Sequence, residues 1–156
     1  MTWFKAKEHC EGKGAKLVEI DSEEENTALV EEINRRGYPG KKMHFWIGLT
    51  DSRSEGKWRL ASSGLKPSYE NWHDDQPDNF CARLRIGPHS SWTSTWSDIN
   101  CNWDWIWQYR WNQRSKWTMH ALCEFDSSTQ SSSTEGTTTE DIKAESTTME
   151  GLSTKS

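Results

Sequence analysis

The chain has 156 residues, of which 32% are hydrophobic and 28% charged, and its formal net charge is −5. This length fits one domain, with or without a tail, and no apolar run approaches the roughly 18 residues of a membrane-spanning helix. The acidic balance argues against a nucleic-acid partner, whose binding surface is normally basic. Eleven tryptophans against two valines disfavour a Val-rich parallel sheet, and neither nucleotide-binding pattern, GxGxxG or GxxxxGK[ST], occurs.

Two helices are predicted near the N-terminus. The first covers residues 2–12, where apolar side chains recur at near-helical spacing and glycines end the pattern: Trp3, Phe4, Ala6, Cys10, Gly12 and Gly14. The second begins at Asp21 and Ser22, because Ser22 and Glu25 have the spacing of a capping box. Its apolar face and its end are formed by Ala28, Leu29, Val30, Ile33, Gly37 and Pro39.

Short strands are predicted along the rest of the chain. The segments with strand composition are 16–20, 45–49, 57–60, 91–100 and 121–125. Segment 57–60 follows a Ser-Glu-Gly turn and is expected to pair with 45–49, whereas residues 62–76 have the Gly, Pro and Asn content of a loop. Two early helices followed by short strands and long loops indicate an α+β domain.

Composition changes abruptly after Phe125. Ser and Thr make up more than half of residues 127–156, and such a segment buries too little apolar surface to offset the entropy of ordering. We therefore predict a folded domain over residues 1–125 and a disordered Ser/Thr-rich tail over 126–156. An O-glycosylated stalk and an unmodified solvated tail explain this composition equally well.

All four cysteines lie before the tail, at Cys10, Cys81, Cys101 and Cys123. They allow three disulfide pairings, among which their spacing does not choose. Zinc is disfavoured because the cysteines are not clustered. An even number of cysteines in a small domain favours disulfides and an oxidising compartment.

Several spaced motifs then occur in a recognisable order. They are a Cys in the first helix, WIGL at 46–49, NWHDDQPDN at 71–79, WSDINC at 96–101 and ALCEF at 121–125. In this order they resemble the C-type lectin domain over roughly residues 2–125. The resemblance implies a C-type lectin-like fold with two helices, small antiparallel sheets and a long loop region.

The resemblance also implies the disulfides Cys10–Cys123 and Cys81–Cys101, and a secreted or extracellular setting. A signal peptide is not evident, and neither is the strand hairpin that family members carry before the first helix. Met1 therefore falls inside the expected domain, and we expect the chain to be a fragment or an incomplete gene model.

The candidate binding site is the Gln-Pro-Asp loop. Calcium is a hard cation that takes six to eight oxygen ligands, and the resemblance implies that Gln76, Asp78 and Asp98 bind it together with sugar hydroxyls, with Pro77 in the cis form. In the family the QPD order accompanies galactose-type sugars and EPN mannose-type sugars, since exchanging acid and amide moves hydrogen-bond donors and acceptors. Phe80 is counted with these residues as a candidate sugar contact.

This sequence departs from the family pattern at two ligand positions. Ser97 replaces an asparagine ligand and offers a weaker hydroxyl. Only Asn79 and Phe80 separate Asp78 from Cys81, so the glutamate ligand that the family carries before this cysteine has no counterpart. The loss of a charged ligand weakens calcium binding.

A second, structural calcium position of the family is represented here by Asp51, Glu55 and Asn79. Its other ligands would come from the shortened segment. The Asp- and Asn-rich loop 73–79 is equally compatible with ordinary turn chemistry and no ion.

A tryptophan-rich segment precedes the last cysteine. Trp103, Trp105, Trp107, Tyr109 and Trp111 alternate with other residues, so in a strand they would share one face. Exposed indoles there, especially Trp105 and Trp107, would add a platform for sugar rings. The alternative is a hairpin whose aromatic face packs against the domain, because an exposed aromatic row favours aggregation.

No catalytic motif is present, since the five histidines are scattered and neither a nucleophile elbow nor HExxH occurs. We therefore expect a non-enzymatic, calcium-dependent lectin for galactose-type glycans, acting in extracellular recognition or innate defence. The alternative is a C-type lectin-like domain that binds a protein or mineral ligand without calcium or sugar.

Overall fold

The described part of the chain contains two helices and seven short strands. The computed structural model describes residues 1–36, 43–87, 94–103 and 119–126. In chain order the elements are α1 (Trp3–Glu11), β1 (Lys16–Leu17), α2 (Glu23–Arg35), β2 (Met43–Thr50), β3 (Arg59–Leu60), β4 (Cys81–Ile86), β5 (Trp96–Ile99), β6 (Met119–Ala121) and β7 (Cys123–Glu124).

Both helices begin at capping residues. The Thr2 hydroxyl accepts from the Lys5 N–H at 3.2 Å, and the Ser22 hydroxyl accepts from the Glu25 N–H at 3.2 Å. The predicted capping box at Ser22 and Glu25 therefore forms with one difference. The Glu25 carboxylate accepts from the Asp21 N–H at 3.0 Å, not from the N–H of Ser22 itself. These bonds satisfy N–H groups that a helix start leaves unpaired.

The main sheet has the order β3-β2-β4-β5, and β6 pairs in parallel with β2. The neighbouring strands β2 and β4 are antiparallel, with Phe45 opposite Leu84 and Trp46 opposite Arg83. Next to them, β4 pairs with β5 so that Ala82 lies opposite Asp98. Separately, β1 and β7 form a two-stranded antiparallel sheet that joins the two ends of the domain.

Apolar residues on the two faces of β2 belong to two different clusters. One packs α2 against the sheet through Leu29, Val30, Ile33, Phe45, Ile47 and Leu84. The other packs α1 through Trp3, Ala6, Cys10, Trp46, Cys81 and Cys123. Since successive side chains of a strand point to opposite faces, the WIGL run is buried on both sides.

Gly48 of that run lies where another backbone comes very close. A Cβ at this position would lie 2.7 Å from Glu19 Cγ and 2.8 Å from the Leu17 carbonyl oxygen. The Gly48 N–H donates to the Val18 carbonyl at 2.7 Å. A side chain at Gly48 would therefore push the β1 segment away from β2.

Two disulfides, Cys10–Cys123 and Cys81–Cys101, are present as the resemblance implied. The first joins α1 to β7. The second joins Cys81, the first residue of β4, to Cys101, which lies two residues after the end of β5. The predicted α+β, C-type lectin-like fold is confirmed. Among the described residues no helix has the length and apolar character needed to cross a membrane.

Several strand boundaries differ from the prediction: β2 extends beyond 45–49, β3 is shorter than 57–60, and segment 121–125 is divided between β6 and β7. Two further differences have a clear physical reason. Only Lys16–Leu17 of the predicted segment 16–20 is strand, because the Val18 carbonyl turns to Gly48 of β2 instead of continuing the β7 pairing. The strand β4 was missed, since its two arginines interrupt the apolar pattern although the whole strand is buried. The predicted tail lies outside the described residues from 127 onwards.

Candidate functional site

The polar loop before β4 lies against β5. Trp72 forms an isolated parallel bridge with Trp96, and the His73 N–H donates to the Trp96 carbonyl at 2.8 Å. Asp75 then adopts a positive φ of 65°, and the Gln76–Pro77 peptide bond is cis. The loop tip is thereby held beside the same strand.

Gln76 connects this loop tip to β5. Its Oε1 accepts from the Asp98 backbone N–H at 3.1 Å, and its Nε2 lies 3.4 Å from Asp78 Oδ1. The same amide nitrogen donates to the Asp75 carbonyl at 3.0 Å. The structure therefore brings Gln76, Asp78 and Asp98 together, and with Asn79 we call this group the loop site.

Asp98 is the buried member of the loop site, only 4% exposed. Its Oδ2 accepts a short hydrogen bond from the Asn79 N–H. Its Oδ1 is buried and receives no hydrogen bond from any described residue. Buried carboxylate oxygens are normally hydrogen-bonded, because losing water without a partner is costly. Oδ1 thus has capacity for a further donor or a cation.

The electrostatics of the loop site disfavour the ionised form of this carboxyl group. Burial raises the pKa of Asp98, and the charge of Asp78 adds to that effect. The backbone N–H groups of Asn79 and Asp78 act in the opposite direction but do not cancel it. Within the described residues, no Lys or Arg is in ion-pair contact with either aspartate, although Arg83 and Asp98 attract each other electrostatically. Further positive charge near Oδ1 would favour ionisation.

The exposed side of the loop site carries Asp78, Asn79 and Phe80. The Asn79 amide donates to Asp78 Oδ1 at 2.7 Å, which orients this carboxylate. Phe80 is 40% exposed, and its carbonyl accepts from the Thr50 hydroxyl at 2.7 Å and from the Asp51 N–H at 3.1 Å. The partly exposed ring of Phe80 therefore follows the exposed carboxylate of Asp78 by two positions in the sequence.

Ser97, predicted as a further ligand, is engaged elsewhere. Its hydroxyl accepts from Arg83 Nε at 2.9 Å in a buried hydrogen bond, and neighbouring strand residues point to opposite faces. Its hydroxyl is therefore not brought to the Asp98 side chain.

The partner of Ser97 was not identified from the sequence. Burial lowers the pKa of Arg83 to about 10, with Arg85 adding to the shift and Asp98 opposing it. Arg85 Nη2 likewise donates to the Thr95 hydroxyl at 3.2 Å. The alternation of arginines with apolar residues in Cys81–Ile86 was the signal that could have revealed this strand and its polar face.

The residues of the second predicted calcium position differ in burial and in hydrogen-bond partners. Asp51 is 4% exposed, its Oδ2 accepts from the Gly56 N–H at 2.7 Å, and its Oδ1 accepts from no described residue. Glu55 is exposed, and the Asn79 amide turns to Asp78. Among the described residues, no group of three or more His, Cys, Asp or Glu is arranged to hold a metal ion.

Trp105 and Trp107 lie outside the described residues. The first tryptophan of the series, Trp103, is described and packs partly buried against the α1-side cluster. The proposed sugar platform on this segment stays a prediction.

The comparisons with known proteins bear on the family and the fold. A family model described as the lectin C-type domain matches residues 1–108. A perlucin-like protein of Mytilus galloprovincialis is 36% identical over 65% of this chain and 64% of its own length. Salivary C-type lectin 1 of Aedes albopictus is 31% identical over 64% of this chain and 69% of its own length.

Solved structures show the same relationship. The mouse scavenger receptor C-type lectin carbohydrate-recognition domain superposes with a TM-score of 0.54 and 34% identity, covering 65% of this chain and 73% of that one. The matched part of the chain spans about two thirds of the mussel and mosquito relatives. The chain belongs to the C-type lectin domain family.

Proposed function

We propose that this domain binds glycans outside the cell, through a calcium ion held at the loop site. One observation carries the proposal: Gln76, Asp78 and Asp98 converge, and Asp98 Oδ1 is buried there without a partner among the described residues. Two carboxylates and an amide oxygen are ligands that calcium prefers.

The donor chemistry of the loop site fits a hard cation. Asp78 and Asp98 lie close enough that the charge of one raises the pKa of the other, and a divalent cation would offset this repulsion. Gln76, Asp78 and Asp98 would hold the ion, and bound calcium would supply positive charge that sugar hydroxyls can approach. Since calcium takes six to eight oxygens, water and ligand hydroxyls would complete the set, and the affinity would be low.

Galactose-type sugars suit the order of groups in the loop. Asp78 and Asn79 offer acceptors and donors on the exposed side, and the partly exposed Phe80 ring offers a surface for the apolar face of a sugar. The QPD order supports this class through the resemblance. The relative described as a carbohydrate-recognition domain supports glycan binding in general.

An extracellular setting is supported by the two disulfides, which persist in oxidising compartments. A salivary lectin among the relatives agrees with this. These observations favour secretion or display outside the cell.

A second candidate function is binding of a protein or mineral surface without calcium or sugar. It is favoured by hydrogen bonds that candidate ligands already make, because Gln76 Oε1 accepts from the Asp98 N–H and the Ser97 hydroxyl accepts from Arg83 away from the loop site. Oxygens that are satisfied within the protein gain less from a cation.

Calcium titration by calorimetry tests the first proposal. The parent domain should bind calcium, Asp98→Asn should bind it about a hundredfold more weakly because a charged ligand is lost, and Asp74→Asn should bind like the parent. Asp74 is the matched control, since it is an exposed acid of the same loop. Absence of binding heat in the parent would refute the calcium site.

Galactose–agarose then tests the sugar. The parent should be retained in calcium and released by EDTA, and mannose–agarose should retain it less. Retention that EDTA does not alter would support the second candidate instead.

A further inference from the structure

A second concave surface lies between α1 and the turn that joins β2 to β3. This groove has a volume of about 620 Å³, within the range of small-molecule sites. Its charged and aromatic lining residues are Trp3, Phe4, Lys7, Asp51, Arg53, Lys57 and Arg59, and the rest of the lining includes Ser52, Ser54, Ser62 and Ser63. Of the residues proposed to bind calcium or sugar at the loop site, it includes none.

The charge of the groove is opposite to that of the chain. Four basic side chains line it against one acid, whereas the whole chain carries −5. The acid, Asp51, is buried and accepts from the Gly56 N–H at 2.7 Å. A local positive surface on an acidic protein selects anions by charge complementarity.

Two of the basic groups are available for a ligand. Lys7 pairs with Glu11, and Arg59 Nη1 donates to the Trp58 carbonyl at 2.9 Å. Arg53 and Lys57, in contrast, are exposed and form no side-chain hydrogen bond or ion pair with any described residue. Since a guanidinium presents a planar set of donors, Arg53 suits the oxygens of a sulfate or carboxylate group.

The other wall suits a sugar ring. Phe4 is 48% exposed, and its ring is held edge-on against Trp3 with the centroids 5.4 Å apart. An exposed aromatic ring held in place provides a stacking surface at low entropic cost. The serine hydroxyls between the two walls can exchange hydrogen bonds with sugar hydroxyls.

We propose that this groove binds a sulfated oligosaccharide without calcium. Arg53 and Lys57 contact the sulfate groups, and Phe4 stacks on a sugar ring. This groove shares no lining residue with the loop site, so the domain would have one calcium-dependent and one calcium-independent contact with glycans.

The test is carried out in EDTA, which removes any contribution of the loop site. A heparin-derived octasaccharide should bind the parent domain, and Arg53→Gln with Lys57→Gln should weaken binding about tenfold, as expected for loss of exposed charged contacts. The charge-matched control is Lys5→Gln with Lys66→Gln, both exposed and outside the groove. The affinity of the control should stay within about twofold of the parent. The groove variant should lose about tenfold, which corresponds to about 1.4 kcal/mol of binding free energy. Equal weakening in both variants, or no binding in the parent, would overturn the proposal.

Two further measurements separate a sulfated sugar from a simple anion. Chemically desulfated octasaccharide should bind at least about tenfold more weakly than the sulfated form, because the charged contacts are lost. Phe4→Ala should weaken octasaccharide binding about fivefold through loss of stacking, while leaving inorganic sulfate binding unchanged. Equal binding of sulfated and desulfated forms would overturn the role of sulfate, and an unaltered Phe4→Ala variant would overturn the sugar contact.

Discussion

Two regions of this domain contain buried carboxylates, and they compensate the negative charge in different ways. In the first, which we call the clasp, Lys16 lies 3.1 Å from Glu19 and 3.3 Å from Glu124, where β1 pairs with β7. In the second, the loop site, Asp98 and Asp78 have no lysine or arginine ion pair within the described residues. Each region contains a disulfide, which is Cys10–Cys123 at the clasp and Cys81–Cys101 beside the loop site.

The clasp contains its own counterion. The Glu124 carboxylate also accepts from the Glu19 N–H at 3.2 Å, and Glu19 accepts from the Ser62 N–H at 2.7 Å. Burial lowers the pKa of Lys16, but Glu19 and Glu124 outweigh that effect and the net pKa is raised. Burial raises the pKa of Glu124, although Lys16 opposes it. One cation shared by two acids therefore joins β1 to β7.

The difference agrees with a stabilising role for the clasp and with the proposed binding role of the loop site. A lysine in ion-pair contact is a permanent counterion, whereas a buried carboxylate without such a contact favours a cation that reaches it. The loop site therefore keeps an unfavourable charge that a ligand can relieve. The following predictions test that contrast.

Removal of the disulfides should cause the largest losses of stability, and the loss should be greater for the disulfide at the clasp. Cys10→Ala with Cys123→Ala should lower the free energy of unfolding by about 5 kcal/mol, and Cys81→Ala with Cys101→Ala by about 3 kcal/mol, since the sequence separations are 113 and 20. These are upper values of the loop-entropy relation. Urea denaturation of the three proteins in EDTA measures both losses. A larger loss for the Cys81–Cys101 pair would contradict the clasp as the stabilising region.

Removal of the clasp cation should have the next largest effect. Lys16→Met should destabilise the domain by about 2 kcal/mol at pH 7, a value reduced from that of a fully buried pair because Lys16 is partly exposed. The loss should shrink toward pH 4, because protonated Glu124 needs no counterion. Denaturation at both pH values measures this, with Lys66→Met as the exposed control. A loss that is equal at both pH values would show that Lys16 stabilises by packing alone.

The predictability of the fold can be judged from these same residues. The helix cap at Ser22 and the WIGL strand followed from local patterns, because each depends on residues close in sequence. Both disulfides followed from the resemblance, whereas the cap at Thr2 was found only in the structure. The strand β4 did not follow, since Arg83 and Arg85 look like solvent-facing residues until Ser97 and Thr95 are brought opposite them by long-range pairing.

The loop site was predictable in composition but not in electrostatics. The resemblance grouped Gln76, Asp78 and Asp98, and the structure places them together. The burial of Asp98 Oδ1 and the engagement of Ser97 by Arg83 could not be predicted, because both depend on the packing of β4 against β5. The basic groove was also missed, since Lys7 and Arg53 are far apart in the sequence.

Asp98→Asn should change stability in opposite directions with and without calcium. A carboxyl group whose pKa is raised on folding contributes stability at low pH and loses it as the pH rises through the folded value. In EDTA at pH 7 the variant should therefore melt at a higher temperature than the parent. In saturating calcium the order should reverse, because only the parent gains from binding. Differential scanning calorimetry in both buffers measures this, and an unchanged order would refute calcium binding at Asp98.

Calcium affinity should also fall on acidification. The fall should begin at a higher pH than at a site whose carboxyl groups have unshifted pKa values. The ionised form of Asp98 is needed to hold the cation, and burial together with Asp78 raises its pKa. Calcium titrations between pH 7 and pH 4 measure this loss. A constant affinity over that range would place the calcium ligands elsewhere in the chain.

The tryptophan-rich segment should give the smallest effect, and it distinguishes a binding surface from a packing one. If Trp105 and Trp107 contact sugar, replacing both by Ala should weaken galactose binding about fivefold, from the usual energy of aromatic contacts, without altering the melting temperature. The matched control replaces Ile106 and Gln108, which alternate with them, by Ala. If the aromatic face packs on the domain instead, the tryptophan variant should melt at a lower temperature. Its folded molecules should then bind galactose with the affinity of the parent. Partly buried Trp103 begins the same alternating series, so the two outcomes decide whether the segment extends the core or the glycan contact.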